Sequence, residues 1–181
     1  HGTHVLGLLA ASKTSNNLIG LIPEASFFLY KAYCDGVGFI DSFVADAINE
    51  CIKNNVDIIN LSLSITTPSG SILEKALNNA INNNIILVAA AGEENDLIQP
   101  TISFPAQFKK VIALGEVSRS YLQTLSKPIN SKVDFLMPLD DISSCWINKP
   151  IGNYYKDLSG SSMGSSFLTG ILASALSAGV S

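Results

Sequence analysis

The stretch Ile-Ile-Leu-Val-Ala-Ala-Ala, residues 85–91, carries no polar side chain in seven positions. A strand with one wet face alternates apolar and polar residues. An unbroken apolar run of this length marks a strand covered on both faces, as in a parallel sheet flanked by helices. Upstream, Ile72, Leu73, Ala76, Leu77, Ala80 and Ile81 recur at helical spacing after the breaker-rich run 66–70. Before them, VDIINLSLS (residues 56–64) reads as a strand. Residues 40–54 read as a helix, from Ile40, Phe43, Val44, Ala47, Ile48, Cys51 and Ile52, with Asp41 or Ser42 placed to cap it. ASFFLYKAY (residues 25–33) reads as a further strand.

Downstream, residues 111–117 and 132–137 read as strands, and residues 160–177 as a loop entering a helix of small residues. The order β-α-β-α-β-β-β-α predicts an α/β fold of three layers around a mostly parallel central sheet. The length of 181 residues fits one domain over 1–181. Ligands of open parallel sheets bind beyond the carboxyl ends of the strands. Chemistry is therefore expected at residues 36–39, 62–66 and 92–96.

Composition narrows the function classes. Charged residues make up 14%, against about 25% in ordinary soluble domains, and apolar residues 47%. That excludes a disordered tail or a charged coiled coil. The net charge is −4 with no basic run, so nucleic acid is not an expected partner. Cys34, Cys51 and Cys145 are too few and scattered for a disulfide framework or a zinc site. Residues 158–181 lack charge but hold eight serines. A bilayer span needs about 20 predominantly apolar residues, so a buried helix is expected there and no membrane span. No signal peptide is readable, and a motif begins at the first residue, so the N-terminus reads as cut.

Both histidines lie in His1-Gly2-Thr3-His4. The spacing suits a metal pair on a helix, but no third ligand stands at a usual distance. Ordinary packing is the alternative. The second feature is Gly160-Ser161-Ser162-Met163-Gly164-Ser165-Ser166. A serine at the start of a helix presents its hydroxyl beside backbone N–H groups that favour developing negative charge. Given a histidine to take its proton, it becomes a nucleophile. A Ser/Gly-rich linker is the alternative.

Together these pieces resemble the subtilisin-like serine peptidases. HGTHVLGLLAA (residues 1–11) resembles their histidine motif, and LSGSSMGSSFLTG (158–170) their serine motif. Between these lie, in the family's order, GLIPEA (20–25), DGVGF (35–39), NLSLS (60–64), ILVAAAG (86–92) and FPAQFKKVIALGEV (104–117). The resemblance implies a subtilisin-like α/β fold lacking its N-terminal strand or strands, and a peptidase acting on peptide or protein substrates without a cofactor. It implies Ser162 as nucleophile, His1 as general base and then acid, and His4 as structural. Gly36, Val37, Gly38, Ser62, Leu63 and Ser64 would pair with an extended substrate. The Ser162 N–H would supply half of an oxyanion hole. The calcium loop of the family has only Thr14 to Asn17 to correspond to it, which does not argue for calcium.

The chain departs from this pattern in places. The family's catalytic aspartate precedes the histidine motif, and nothing in these residues corresponds to it. Asp35, Asp41 and Asp57 sit in segments matched to other family positions. Losing that aspartate costs triad enzymes about 10⁴-fold. Glu93 stands where the family has the oxyanion asparagine. Removing such a donor costs about 10²–10³-fold. Ser166-Phe167 replaces the family's Pro-His, Gly164 an alanine, and Ser64 the pocket glycine. Gly164 and Ser166 are expected to loosen the start of the helix, and Ser64 to narrow the primary pocket. Two functions follow as expectations: a serine endopeptidase, or a degenerate relative that holds peptides without turnover. An unrelated α/β hydrolase fits only the GxSxG spacing of Gly160 to Gly164.

Overall fold

In a computed structural model, the structure describes residues 1–12, 18–65, 71–92, 102–117, 132–147 and 154–180. Four parallel strands form the central sheet in chain order: β3 (Ile58–Leu61), β4 (Ile86–Ala90), β5 (Ile112–Val117) and β6 (Phe135–Pro138). The run that decided the fold is β4, and its four residues Leu87 to Ala90 are all buried. Period-two alternation divides the sheet into two faces. Ile59, Leu61, Leu87, Ala89 and Ala113 face one core with helices α2 (Asp41–Lys53) and α3 (Ser71–Asn82). Val88 and Leu114 face another, with Leu8 of helix α1 (Gly2–Ala10) and Met163 and Leu168 of helix α4 (Ser161–Ser177). Helix, sheet and helix are thus the three layers expected.

The two amphipathic helices fall within a residue or two of their expected bounds, because one stripe of each packs on the sheet. The capping expectation for α2 fails. Ile40 occupies the cap position in extended conformation and no side chain caps the helix. Asp41 is buried in the first turn instead, where a carboxylate complements the helix dipole. The last helix is buried only as far as Gly170. From Ile171 onward it is half-buried or exposed as it runs past the sheet. No helix of the described residues is long and apolar enough to cross a membrane.

Three expectations are corrected. Residues 25–33 are not one strand. Only β1 (Tyr33–Cys34) is extended in a ladder, and it pairs antiparallel with β2 (Gly38–Phe39). A strand exists only against a hydrogen-bonding neighbour. Here a cavity lies between residues 25–32 and β3, lined by both. Helix α1, at the histidine motif, was absent from the expected order. An antiparallel hairpin, β7 (Ile142–Cys145) with β8 (Tyr155–Leu158), was not anticipated at all.

The glycine in the serine motif does not loosen α4. A Cβ on Gly164 would overlap the side chains of Leu114 and Leu139, both fully buried. The missing side chain is what lets the helix lie close on β5, and it outweighs the helix-propensity cost of about 1 kcal/mol.

Candidate active site

Two segments far apart in sequence end at one cavity of about 1860 Å³. His1 stands immediately before α1, exposed, at its N-cap position. Its imidazole makes no hydrogen bond with a described residue. Ser162 lies in the first turn of α4, half-buried. Both line the cavity, together with Ser62, Leu63 and Ser64 at the carboxyl end of β3. The hydroxyl of Ser162 is not engaged by any described residue. Ser162 thus lies at a helix start beside the cavity, where backbone N–H groups favour negative charge.

The sequence around each residue explains its placement. Gly160 adopts φ +129°, a conformation that only glycine takes without strain, and so turns the chain from β8 into α4. Ser161 is buried and donates to the Gly92 carbonyl at 3.0 Å. That bond ties the helix start to the end of β4. Gly92 itself has φ +109°, and a Cβ there would overlap Ser103. Ser103 in turn donates to the Ala91 carbonyl at 3.1 Å.

Helix α1 is fixed from its buried face. The His4 Nε2 donates to the carbonyls of Ile142 (2.9 Å) and Lys156 (3.0 Å), one on each strand of the hairpin. Carbonyls only accept, so Nε2 carries the proton. The Nδ1 is buried without a partner. Burial lowers the pKa of this imidazole from 6.5, against the opposing pull of its two backbone hydrogen bonds. His4 is therefore a neutral pin between α1 and the hairpin, with its Nε2 committed to carbonyls. No cluster of three potential metal ligands occurs among the described residues.

The other site residues divide. Gly36, Val37 and Gly38 lie on the β1–β2 hairpin, with Val37 73% exposed, and do not line the cavity that holds His1 and Ser162. Glu93 and the segment Thr14 to Asn17 lie outside the described residues. Asp35 pairs with Lys31 at the surface (3.4 Å), and Asp41 lies within α2. Asp57 lines the same cavity but precedes β3, at the opposite end of that strand from Ser62. Sequence reasoning missed one group of residues. Asn60, Ser165, Ser166 and Thr169 form hydrogen bonds around Ser162, considered further below. The only sequence signal for them was the density of hydroxyls in the serine motif.

The chain matches the Subtilase family over residues 1–180. It is 34% identical over 177 residues to the major intracellular serine protease of Bacillus subtilis (strain 168), a match covering 96% of this chain and 54% of that protein. It is 34% identical over 174 residues to a thermostable alkaline protease of Halalkalibacterium halodurans, covering 96% and 46%. The chain thus spans about half the length of these relatives. Among solved structures, the prenylagaramide maturation protease PagA superposes with a TM-score of 0.77 at 24% identity, covering 100% of this chain and 67% of that one. Sphericase gives 0.75 at 23%, covering 96% and 62%. Those two likenesses establish the fold, and the sequence matches establish the kinship: the chain belongs to the subtilase family.

Proposed function

We propose that this chain carries the nucleophile and the general base of a serine endopeptidase. The observation supporting this most is that His1 and Ser162, 161 positions apart, line one cavity that runs along β3 and past its carboxyl end. In the proposed reaction the Ser162 Oγ attacks a peptide carbonyl while His1 takes its proton. His1 then gives the proton to the leaving amine, and water releases the acyl group by the same route. The Ser162 N–H donates to the oxyanion. An extended substrate runs along Ser62, Leu63 and Ser64, with Gly36, Val37 and Gly38 as the opposing edge. Ser64 favours small or unbranched side chains in the primary pocket.

Efficient turnover further requires a carboxylate to orient His1. The cavity between residues 25–32 and β3 reaches His1 and has room for such a carboxylate. Without it, a rate loss of about 10⁴-fold is expected. At the oxyanion, a protonated Glu93 donates a hydrogen bond, whereas an ionised one repels the developing charge.

The second reading is a peptide-binding relative that does not turn substrate over. Glu93 and the unmatched aspartate favour it. Hydrolysis of small-residue peptide amides by the whole protein, with Ser162→Ala as control, tests the first reading. Glu93→Asn separates the two: gained activity supports the degenerate relative, and lost activity supports a tuned acidic oxyanion residue.

A further inference from the structure

We infer that the Ser62 side chain is a positioning residue: it holds the nucleophile through the main chain of Ser162 and does not itself contact substrate. The inference rests on the reading of Ser162 as nucleophile. Three hydroxyls, those of Ser62, Ser165 and Ser166, lie 3.0 Å from the carbonyl of Ser162. The last two are contacts within α4. Ser62 is different, because it reaches across from the carboxyl end of β3. Its hydroxyl also lies 2.7 Å from that of Ser165, and it accepts from the Asn60 Nδ2 at 2.9 Å.

Counting protons orders the contacts. Ser62 and Ser165 have one hydroxyl proton each for three contacts among themselves and the Ser162 carbonyl. The assignment that keeps the bond across from β3 runs Asn60 amide to Ser62, Ser165 to Ser62, and Ser62 to the Ser162 carbonyl. Thr169 closes the group, donating to the Ser165 carbonyl at 2.8 Å and lying 3.3 Å from the Asn60 Oδ1. Ser165 and Ser166 are fully buried, so these bonds form away from competing water.

This arrangement takes the place of a missing cap. Gly160 offers no side chain to the start of α4, and no cap hydrogen bond forms there. The first turn is held sideways instead, by Ser161 to the end of β4 and by Ser62 from the end of β3. Ser166 stands where the family pattern has a proline, so one of the three hydroxyls is a feature of this sequence. A substrate strand laid beside residues 62–64 uses their main chain, while the Ser62 side chain is turned toward α4.

The test measures fluorophosphonate labelling of Ser162 in the whole protein, against reagent concentration, for Ser62→Ala and Ser62→Thr. Ser62→Ala is expected to lower the maximal labelling rate about tenfold, the scale of a slightly displaced nucleophile, with unchanged half-saturation. Ser62→Thr, which keeps the hydroxyl, is expected within about twofold of the parent. A Ser62→Ala protein that labels at the parental maximal rate, or that changes only in half-saturation, overturns the inference. Urea unfolding supplies a readout independent of activity. The Ser62→Ala, Ser165→Ala double variant is expected to be no less stable than the weaker single variant, and additive losses overturn the relay. Absence of labelling in the parent, with the unfolding coupling intact, defeats the nucleophile reading and Ser62's positioning role with it, while leaving the hydrogen-bonded group established.

Discussion

Ser144 donates its hydroxyl to the His4 carbonyl at 2.7 Å, fastening strand β7 to helix α1 within one turn of His1. The strand passes so close that Gly7 has no room for a methyl group. A Cβ there would lie 2.8 Å from the Cys145 Cβ and 2.9 Å from its backbone nitrogen. The helix that follows His1 is thereby set against the hairpin leading into the helix that carries Ser162.

Gly7→Ala is expected to destabilise the protein by about 1–3 kcal/mol, the usual cost of overpacking. The backbone of Cys145 cannot move aside as a flexible side chain would. Urea midpoints at constant m-value measure this. An unchanged or raised midpoint would show that α1 and β7 are not in contact.

Acid should weaken the same joint. Burial lowers the native pKa of His4 below 6.5, so the unfolded chain takes up this proton at a higher pH than the native one. The contribution is therefore complete above pH 6.5 and is lost as the pH falls from there toward the lowered native value. The slope is at most about 1.4 kcal/mol per pH unit. The two backbone hydrogen bonds and the Asp157 carboxylate oppose the shift. His4→Gln keeps an N–H for the two carbonyls but does not titrate. Its unfolding free energy should fall less steeply than the parent's below pH 6.5; parallel curves would remove His4 from the account.

Asp134 begins the β5–β6 ladder with its side chain. Its Oδ2 accepts from the Ala113 N–H at 2.8 Å and from Lys132 at 3.2 Å, while Lys132 donates to the Val111 carbonyl at 2.8 Å. Asp134→Ala should cost about 1–2 kcal/mol, since a charge-assisted bond to a backbone N–H is lost. Thermal unfolding measures it. A loss near zero would mean that water replaces the carboxylate there.

Much of this was legible because the signals were long. The apolar run at β4 and the repeating stripes of α2 and α3 span enough residues for burial to dominate local propensity. Residues 25–33 misled because their composition suits a strand, while a ladder depends on a neighbour that composition does not specify. The β7–β8 hairpin was invisible in ISSC and YKDL, four-residue segments with no clear alternation. His1 and Ser162 were readable only as parts of motifs found in a familiar order. The hydrogen bond from Ser62 to Ser162 joins residues 100 positions apart, and no local pattern announces it. The Gly164 expectation failed because propensity is a local quantity, while Leu114 and Leu139 set the space available.

Whether His1 activates Ser162 is tested most directly by labelling the whole protein with a fluorophosphonate and mapping the adduct by peptide mass spectrometry, beside His1→Ala and Ser162→Ala. The account predicts an adduct on Ser162 in the parent, none in Ser162→Ala, and a rate near background in His1→Ala. An adduct on another serine, or undiminished labelling in His1→Ala, would contradict it.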